Sequence, residues 1–425
     1  MRVSFVFRAV SGLATRLAQM KVLLVGSGGR EHALARALAR SPQLSELHAA
    51  PGNPGIAHHG RCHPVRADDA EALVELCRTE RIDLAVIGPE APLVAGVGDT
   101  LRRAGVPVFG PSAAAARIEG SKAFAKDVML AAGVPTAAAL REARAPCVVK
   151  ADGLAAGKGV FVCRTQAEVE EALLRARGFG GEIVVEELLE GEEVSVFCVC
   201  DGQDVLALPA AQDYKRLRDG DEGPNTGGMG AYSPVPSLGP GGIEEIVETV
   251  HRPVLAELAR RGTPFVGLLY AGLMLTEGDP RVLEFNCRFG DPETQAILPR
   301  LESDLLELLA GAASGSLGGI GASVSPEWAI TVVLASGGYP EQDEVGVEIR
   351  GTEDAEALGA LVFHAGTAVR DGALLSAGGR VLNVTALGTT CAEARARVYE
   401  AVERIHFPGA QFRRDIALRA VHVSP

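Results

Sequence analysis

Residues 147–163 read CVVKADGLAAGKGVFVC, two apolar β runs joined by a loop with a lysine at each end, Lys150 and Lys158. Six of the nine residues 151–159 are Gly or Ala. The loop joins strand to strand and opens no helix. It lacks the Gly-Lys-Ser/Thr ending of the common P-loop. Small residues let its backbone move, and the two lysines supply point charges for phosphate oxygens. The expectation is a lid that folds over a triphosphate. Only six of the 41 basic side chains are lysines, and four of them (Lys122, Lys126, Lys150 and Lys158) lie between 122 and 158. Arginine carries the general surface charge, so a pair of lysines flanking a glycine-rich loop points to phosphate contact.

On the N-terminal side, KVLLVG (21–26) is a buried strand ending at glycine, and SGGREHALARALAR has helical spacing until Ser41-Pro42 stops it. A helix from about Asp68 carries Leu73, Leu76 and Cys77; strand 83–88, a short helix to Gly105 and strand VPVFG follow. Alternating strands and helices predict a parallel, Rossmann-like α/β domain over residues 20–118. Its first glycine turn, Gly26-Ser-Gly28-Gly29-Arg30-Glu31-His32, can present backbone N–H groups to an anion. A dinucleotide fingerprint wants glycine where Glu31 stands and an acid where Pro51, Gly52 and Asn53 stand. The turn therefore reads as a phosphate site or a packing turn, and a dehydrogenase is excluded.

On the C-terminal side, residues 119–326 read as α+β. VSVFCVC turns at Asp201-Gly202 and returns as DVLALPAAQ; Cys198 and Cys200 share one strand face. The acidic run Glu186–Glu193 is mostly solvated surface, with one or two carboxylates available to ribose hydroxyls. In RVLEFN, Glu284 and Asn286 fall on one strand face. Two such oxygens suit Mg²⁺, which takes few protein ligands besides water and phosphate. Arg288, Asp291 and Glu293 follow at once. The preceding strand, LLYAGLMLT, offers no second acid. From 327 to 425 the chain is β-rich (WAITVVLAS, ALVFHAGTAV, ALLSAGG, VLNVTALG) and closes with helix CAEARARVYEAVERI.

The 425-residue length suits about three domains. A net charge of −13 argues against a general nucleic-acid binder but leaves room for small anions at a local positive site. No apolar run is long enough for a membrane helix. Eight scattered cysteines without a CxxC pair suggest reduced thiols in a cytosolic compartment. His58, His59, Cys62 and His63 cluster in sequence, but no matching half-site follows, and metal binding there is not expected. Residues 1–19 carry three arginines and no acid; they read as a disordered extension ahead of Met20 or as a transit-like segment.

Taken in order, GSGGREHAL, PGNPG, IGPEAPLVAG, GPSAAAARIEGSKAFAK, VVKADGLAAGKGV, QDYKRLRDGDEGPNTGGMGAYSP and EFNCRFGDPETQ span residues 24–295. The chain resembles the phosphoribosylamine–glycine ligase (glycinamide ribonucleotide synthetase) family of the ATP-grasp superfamily. RFGDPETQ and PNTGGMGAYSP are specific to that family, whereas the lysine loop indicates only the superfamily. The resemblance implies an ATP-grasp core at 119–326 with a lid subdomain at about 123–190. It implies a cytoplasmic enzyme that uses ATP with Mg²⁺, or Mn²⁺, to join glycine to 5-phosphoribosylamine in purine synthesis, with no obligate protein partner. By the family's pattern, Lys122, Lys150 and Lys158, with Gly157 and Gly159, would contact ATP phosphates. Glu186, Leu189 and Glu193 would hold adenosine. Glu284 and Asn286 would bind the metal. Gly28, Gly29, Asn225, Thr226, Gly227, Gly228, Arg288 and Asp291 would surround the substrates, with Asp213 and Lys215 nearby; Arg288, Asp291 and Lys158 would act in catalysis. A biotin-dependent carboxylase shares the core, but no lysine follows Lys215 to accept biotin. A non-catalytic nucleotide binder should have lost the metal pair or the substrate loops, and both are intact.

Overall fold

The computed structural model describes residues 19–154 and 159–421. The expected N-terminal extension, apart from Gln19, and the loop residues Gly157 and Lys158 lie outside the described residues.

Strand β1 (Met20–Gly26) is the centre of a five-stranded parallel sheet, ordered β3-β2-β1-β4-β5. The others are β2 (Leu44–Pro51), β3 (Arg61–Cys62), β4 (Leu84–Ile87) and β5 (Val108–Phe109). Leu23 and Val25 enter one hydrophobic core and Val22 and Leu24 another, so both sheet faces are covered, as a parallel sheet requires. The strand order reverses between β1 and β4, which opens a crevice at their carboxyl ends. Helix α1 (Gly29–Leu38) starts at that crevice. Helix α2 (Ala70–Glu80) is capped by Asp69. The single short helix expected before Gly105 is two, Glu90–Val94 and Val97–Arg103, because Gly96 takes a left-handed φ of +84° between them.

The middle region is built on an antiparallel sheet ordered Val205–Ala207, Glu192–Asp201, Val266–Leu275 and Arg281–Asn286. Cys198 and Cys200 enter the same core, as their spacing requires. The predicted return strand DVLALPAAQ is shorter than expected. It ends at Ala207, Pro209 has no N–H to continue a ladder, and Gln212–Asp213 joins a different sheet. A separate three-stranded sheet (Val160–Cys163, Cys147–Ala151, Ile183–Glu187) carries helix Gln166–Arg177 and its own small core.

The C-terminal sheet crosses the expected boundary at 326. Its order is Gln212–Asp213, Gly230–Ser233, Trp328–Ala335, Arg380–Gly388 and Leu361–His364. Two of its strands thus come from the middle of the chain. ALVFHAGTAV, read as one strand, is split into Leu361–His364 and Thr367–Arg370, which sit in different sheets. The split falls at Gly366, where a Cβ would stand 2.7 Å from the backbone of Gly378.

Candidate active site

The crevice forms where the N-terminal sheet, the antiparallel sheet and the C-terminal sheet meet. Antiparallel pairing sets Gly272 opposite Glu284 and Tyr270 opposite Asn286. The side chain two residues further, Arg288, turns back, and its Nη2 donates to Asn286 Oδ1 at 3.2 Å. Among the described residues the Glu284 carboxylate has no hydrogen bond or ion pair, yet it sits among cations. Burial alone would raise its pKa, but Lys215, Lys150, Lys122 and Arg288 together hold it below the usual range. An ionised carboxylate without a partner among the described residues, beside a neutral amide oxygen, is a donor set that fits Mg²⁺.

The lysines are held from behind. Lys150 Nζ lies 2.6 Å from Glu186 Oε2 and donates to the Leu283 carbonyl at 2.9 Å, which places it against the strand that carries Glu284 and Asn286. The other Glu186 oxygen is taken by Lys126. The buried Glu186 carboxylate is thus taken by two lysines, which leaves its backbone, not its side chain, for a nucleoside. Lys126, for which no role was expected, is an anchor that also donates to the Thr136 hydroxyl and the Ala137 carbonyl. Leu189 lies half-buried just beyond the same strand. Lys122 begins a helix whose N-terminus is tied to the lysine loop: Asp152 accepts from the N–H groups of Lys122 (2.5 Å) and Ala123 (3.3 Å), and Lys122 Nζ donates to the Gly153 carbonyl at 3.2 Å.

Lys215 pairs with Glu193 at 2.6 Å. Burial would lower its pKa, but Glu193, Asp213 and Glu284 raise it well above normal. Asp213 is pushed up to about 7, mainly by burial, with Glu293, Glu193 and Glu284 adding to the effect against Lys215. Glu193 therefore binds Lys215 in this arrangement, and a sugar would have to share it.

Across the crevice, the Gly28 N–H donates to Glu31 Oε2 at 2.5 Å. Gly26 and Gly88 are glycines because a Cβ at either would overlap the Glu31 side chain. The glycine that a dinucleotide site needs at 31 is here an acid that caps the turn. Arg30 pairs with Glu31 at 2.7 Å and donates to the Phe289 carbonyl at 3.1 Å, joining this turn to the Arg288–Thr294 segment. Arg288 is itself clamped at 3.1 Å by both Glu90 and Glu119. Burial would raise the Glu90 pKa, but Arg288 and Arg30 draw it down to about 2.

Asp291 is reached from the C-terminal region. Arg380 Nη2 lies 3.3 Å from Asp291 Oδ2, and Arg380 Nη1 donates to the carbonyls of Asp291 and Gly227 at 2.6 Å each. Gly228 packs so closely on Pro292 that a Cβ would overlap it. The Thr226 N–H and hydroxyl both bond to the Lys215 carbonyl. Asn225 Nδ2 reaches the Val160 carbonyl on the three-stranded sheet at 3.5 Å. The structure thus brings Gly28, Lys122, Lys150, Asp213, Lys215, Thr226–Gly228, Glu284, Asn286, Arg288 and Asp291 to one crevice, while Gly157 and Lys158 lie outside the described residues. Sequence reasoning missed Arg30, Glu90 and Glu119, although all three lie in motifs that carried the resemblance. Arg380 had only the short GGR step before a strand to mark it.

The family descriptions Phosphoribosylglycinamide synthetase N domain, ATP-grasp (A) domain and C domain match residues 20–119, 120–294 and 329–419. A phosphoribosylamine–glycine ligase of Rhizobium meliloti is 52% identical over 419 residues, covering 95% of this chain and 99% of that protein. The chain belongs to the phosphoribosylamine–glycine ligase family. A Streptomyces coelicolor ligase of this name is 53% identical over 417 residues, covering 94% and 99% of the two chains. The crystal structure of the Thermotoga maritima phosphoribosylamine–glycine ligase superposes with a TM-score of 0.80 at 36% identity, covering 93% of this chain and all of that one. The biotin carboxylase domain of Hydrogenobacter thermophilus 2-oxoglutarate carboxylase superposes at 0.68 with 17% identity, covering 93% and 92%, a likeness of fold alone. As a phosphoribosylamine–glycine ligase family member with an ATP-grasp domain, this chain is an ATP-dependent ligase.

Proposed function

We infer that this chain joins glycine to 5-phosphoribosylamine, converting ATP to ADP and phosphate and giving glycinamide ribonucleotide, a step of purine synthesis. The observation that carries the reading is the convergence on one crevice of the lysines, the Glu284–Asn286 pair and the family-specific Asn225–Gly230 and Arg288–Thr294 segments.

A carboxylate acylates poorly because its leaving group would be oxide. A glycine carboxylate oxygen attacks the γ-phosphorus, ADP departs, and the resulting acyl phosphate has phosphate as its leaving group. The amine of phosphoribosylamine then attacks the acyl carbon and phosphate is expelled. Lys150 and Lys122, with Lys158 of the loop, neutralise charge on the transferring phosphoryl group. Mg²⁺ or Mn²⁺, held by Glu284 and Asn286, supplies further neutralisation of phosphate charge when bound. Arg288, fixed by Glu90 and Glu119, presents a constant cation beside that pair. The lysine loop keeps water from the acyl phosphate. Gly28 and Gly29, the 225–228 turn and Asp291 surround the phosphoribosylamine, and Asp213 and Lys215 contact glycine. The adenosine lies along Leu189 and the backbone beside Glu186. Eight free cysteines support a cytoplasmic enzyme.

ADP release measured with Mg-ATP and glycine or phosphoribosylamine, separately and together, tests this reading. Full turnover is expected only with both. Turnover that ignores glycine, or accepts a different amine equally well, would reject the assignment.

A further inference from the structure

The histidine-rich stretch after β2 is not one cluster in the folded chain. His58 and His59 line a cavity of about 250 Å³ with His32 and His364. Cys62 turns its sulfur toward the Asn53 carbonyl, 3.8 Å away. His63 goes elsewhere. Parallel pairing of Ala49 with Cys62 and a bond from the His63 N–H to the Ala49 carbonyl set His63 beside His48, and the end of α2 brings Glu80 to both.

We propose that His48, His63 and Glu80 form a binding site for a divalent transition metal of the zinc class on the edge of the N-terminal sheet. One donor atom from each lies within 4.8 Å of the other two. His48 Nδ1 and His63 Nε2 are 3.0 Å apart. Two imidazole nitrogens and a carboxylate oxygen are the three-protein-ligand set that zinc accepts with a fourth position open. A second observation concerns the far side of His48. Its Nε2 faces Glu46 Oε2 at 3.3 Å, and Glu46 is held by Lys21 at 2.5 Å. A carboxylate that accepts a hydrogen bond from the Nε2–H leaves the Nδ1 lone pair directed at His63 and Glu80, the arrangement that orients metal-binding histidines. Without metal, the 3.0 Å approach is an imidazole–imidazole hydrogen bond. With metal, His63 carries its proton on Nδ1 instead. The neighbouring cation, Arg61, touches Glu80 only at 3.5 Å and is 71% exposed, so it can swing away. The metal would clip the two-residue strand β3 and the end of α2 to β2, and no residue of the site belongs to the ligase crevice.

Chelator-treated, nucleotide-free full-length protein titrated with Co²⁺, followed by visible absorption, tests the proposal, with Zn²⁺ titrated by calorimetry. One equivalent is expected to bind. His63→Ala and Glu80→Gln, both at half-buried positions, should weaken it more than tenfold while Mg-dependent ligase turnover stays unchanged. Glu46→Gln should weaken it by about 10–100-fold. Zn²⁺ should raise the Tm of the wild type and not of His63→Ala. Absence of saturable binding, or binding that survives His63→Ala, overturns the proposal. So does a signal lost only in Cys62→Ser or only in Glu284→Gln, since those would place the ion elsewhere.

Discussion

Arg380 Nη2 lies 3.3 Å from Asp291 Oδ2, so a residue of the C-terminal sheet fixes a carboxylate that sequence motifs assign to the substrate crevice. The same guanidinium holds the carbonyls of Gly227 and Asp291, tying the two family-specific segments to one strand. Hydrogen bonds to charged groups are worth about 1.5–3 kcal/mol. Arg380→Ala is expected to lower kcat/KM for phosphoribosylamine by roughly ten- to a hundredfold, since each 1.4 kcal/mol is a factor of ten. The KM for ATP should change little. Lysine, which cannot reproduce the fork, should rescue only in part. Steady-state kinetics with each substrate varied in turn checks this; a loss confined to ATP would refute it.

Glu186 is expected to act through Lys150. Glu186→Gln keeps the shape but leaves two buried ammonium groups sharing one neutral side chain. Breaking a buried pair this way costs about 3–5 kcal/mol. The variant should melt at a lower temperature and show a raised KM for ATP, with the phosphoribosylamine KM near that of the wild type. Unfolding curves and kinetics read the two effects separately. An ATP KM equal to the wild type in the folded variant would remove Glu186 from any role in placing Lys150.

The sequence made the alternating strands and helices of the N-terminal sheet, the two strands flanking the lysine loop and the shared face of Glu284 and Asn286 legible because each depends on local periodicity or on neighbours in the chain. The pairing of Glu186 with two lysines was not legible because a carboxylate's partners are set by tertiary contact: Lys126 is 60 residues away and nothing in the acidic run distinguishes its buried member. Arg380 was missed for the same reason, since it reaches Asp291 only through a sheet that takes strands from both sides of residue 326. Pro209 was the readable sign that DVLALPAAQ would not run as one strand. The split of His58 and His59 from His63 follows from a two-residue strand, β3, too short to leave a pattern.

Acid should loosen the seam between the N-terminal and C-terminal parts. The His364 N–H donates to His32 Nδ1 at 2.8 Å, so His32 must be unprotonated there. Burial, with His364, His59, His58 and Arg36 adding, holds the His32 pKa well below normal. Burial, then His58, lowers that of His364 to about 4. Glu356 is the one carboxylate lining this cavity among the described residues. For a depressed histidine the unfolded chain takes up the proton first, near 6.5. Stability is therefore intact above that pH and lost as pH falls toward about 4. His364→Gln should flatten this slope. Denaturant unfolding at pH 7, 6 and 5 measures it, and equal slopes in variant and wild type would refute the prediction.

The metal pair gives the sharpest test of the catalytic reading. Glu284 is ionised, unpaired among the described residues and surrounded by Lys215, Lys150, Lys122 and Arg288. Glu284→Gln removes the charge while preserving volume. It should raise the Mg²⁺ concentration for half-maximal turnover at least tenfold and cut kcat. Asn286→Ala should do likewise but less, because it removes a neutral ligand, although Arg288 also loses its contact with the amide oxygen. The two effects should be less than additive, since both residues act through one ion. Stability supplies an independent check. A carboxylate whose folded pKa lies below its unfolded value stabilises the fold above about pH 4.5 and ceases to do so as pH falls through the folded pKa. Glu284→Gln should thus melt lower than wild type at pH 7, and the gap should close in acid. A Mg²⁺ requirement unchanged in both variants would reject the pair as metal ligands, whereas a changed requirement with fully additive losses would show that they act on different groups.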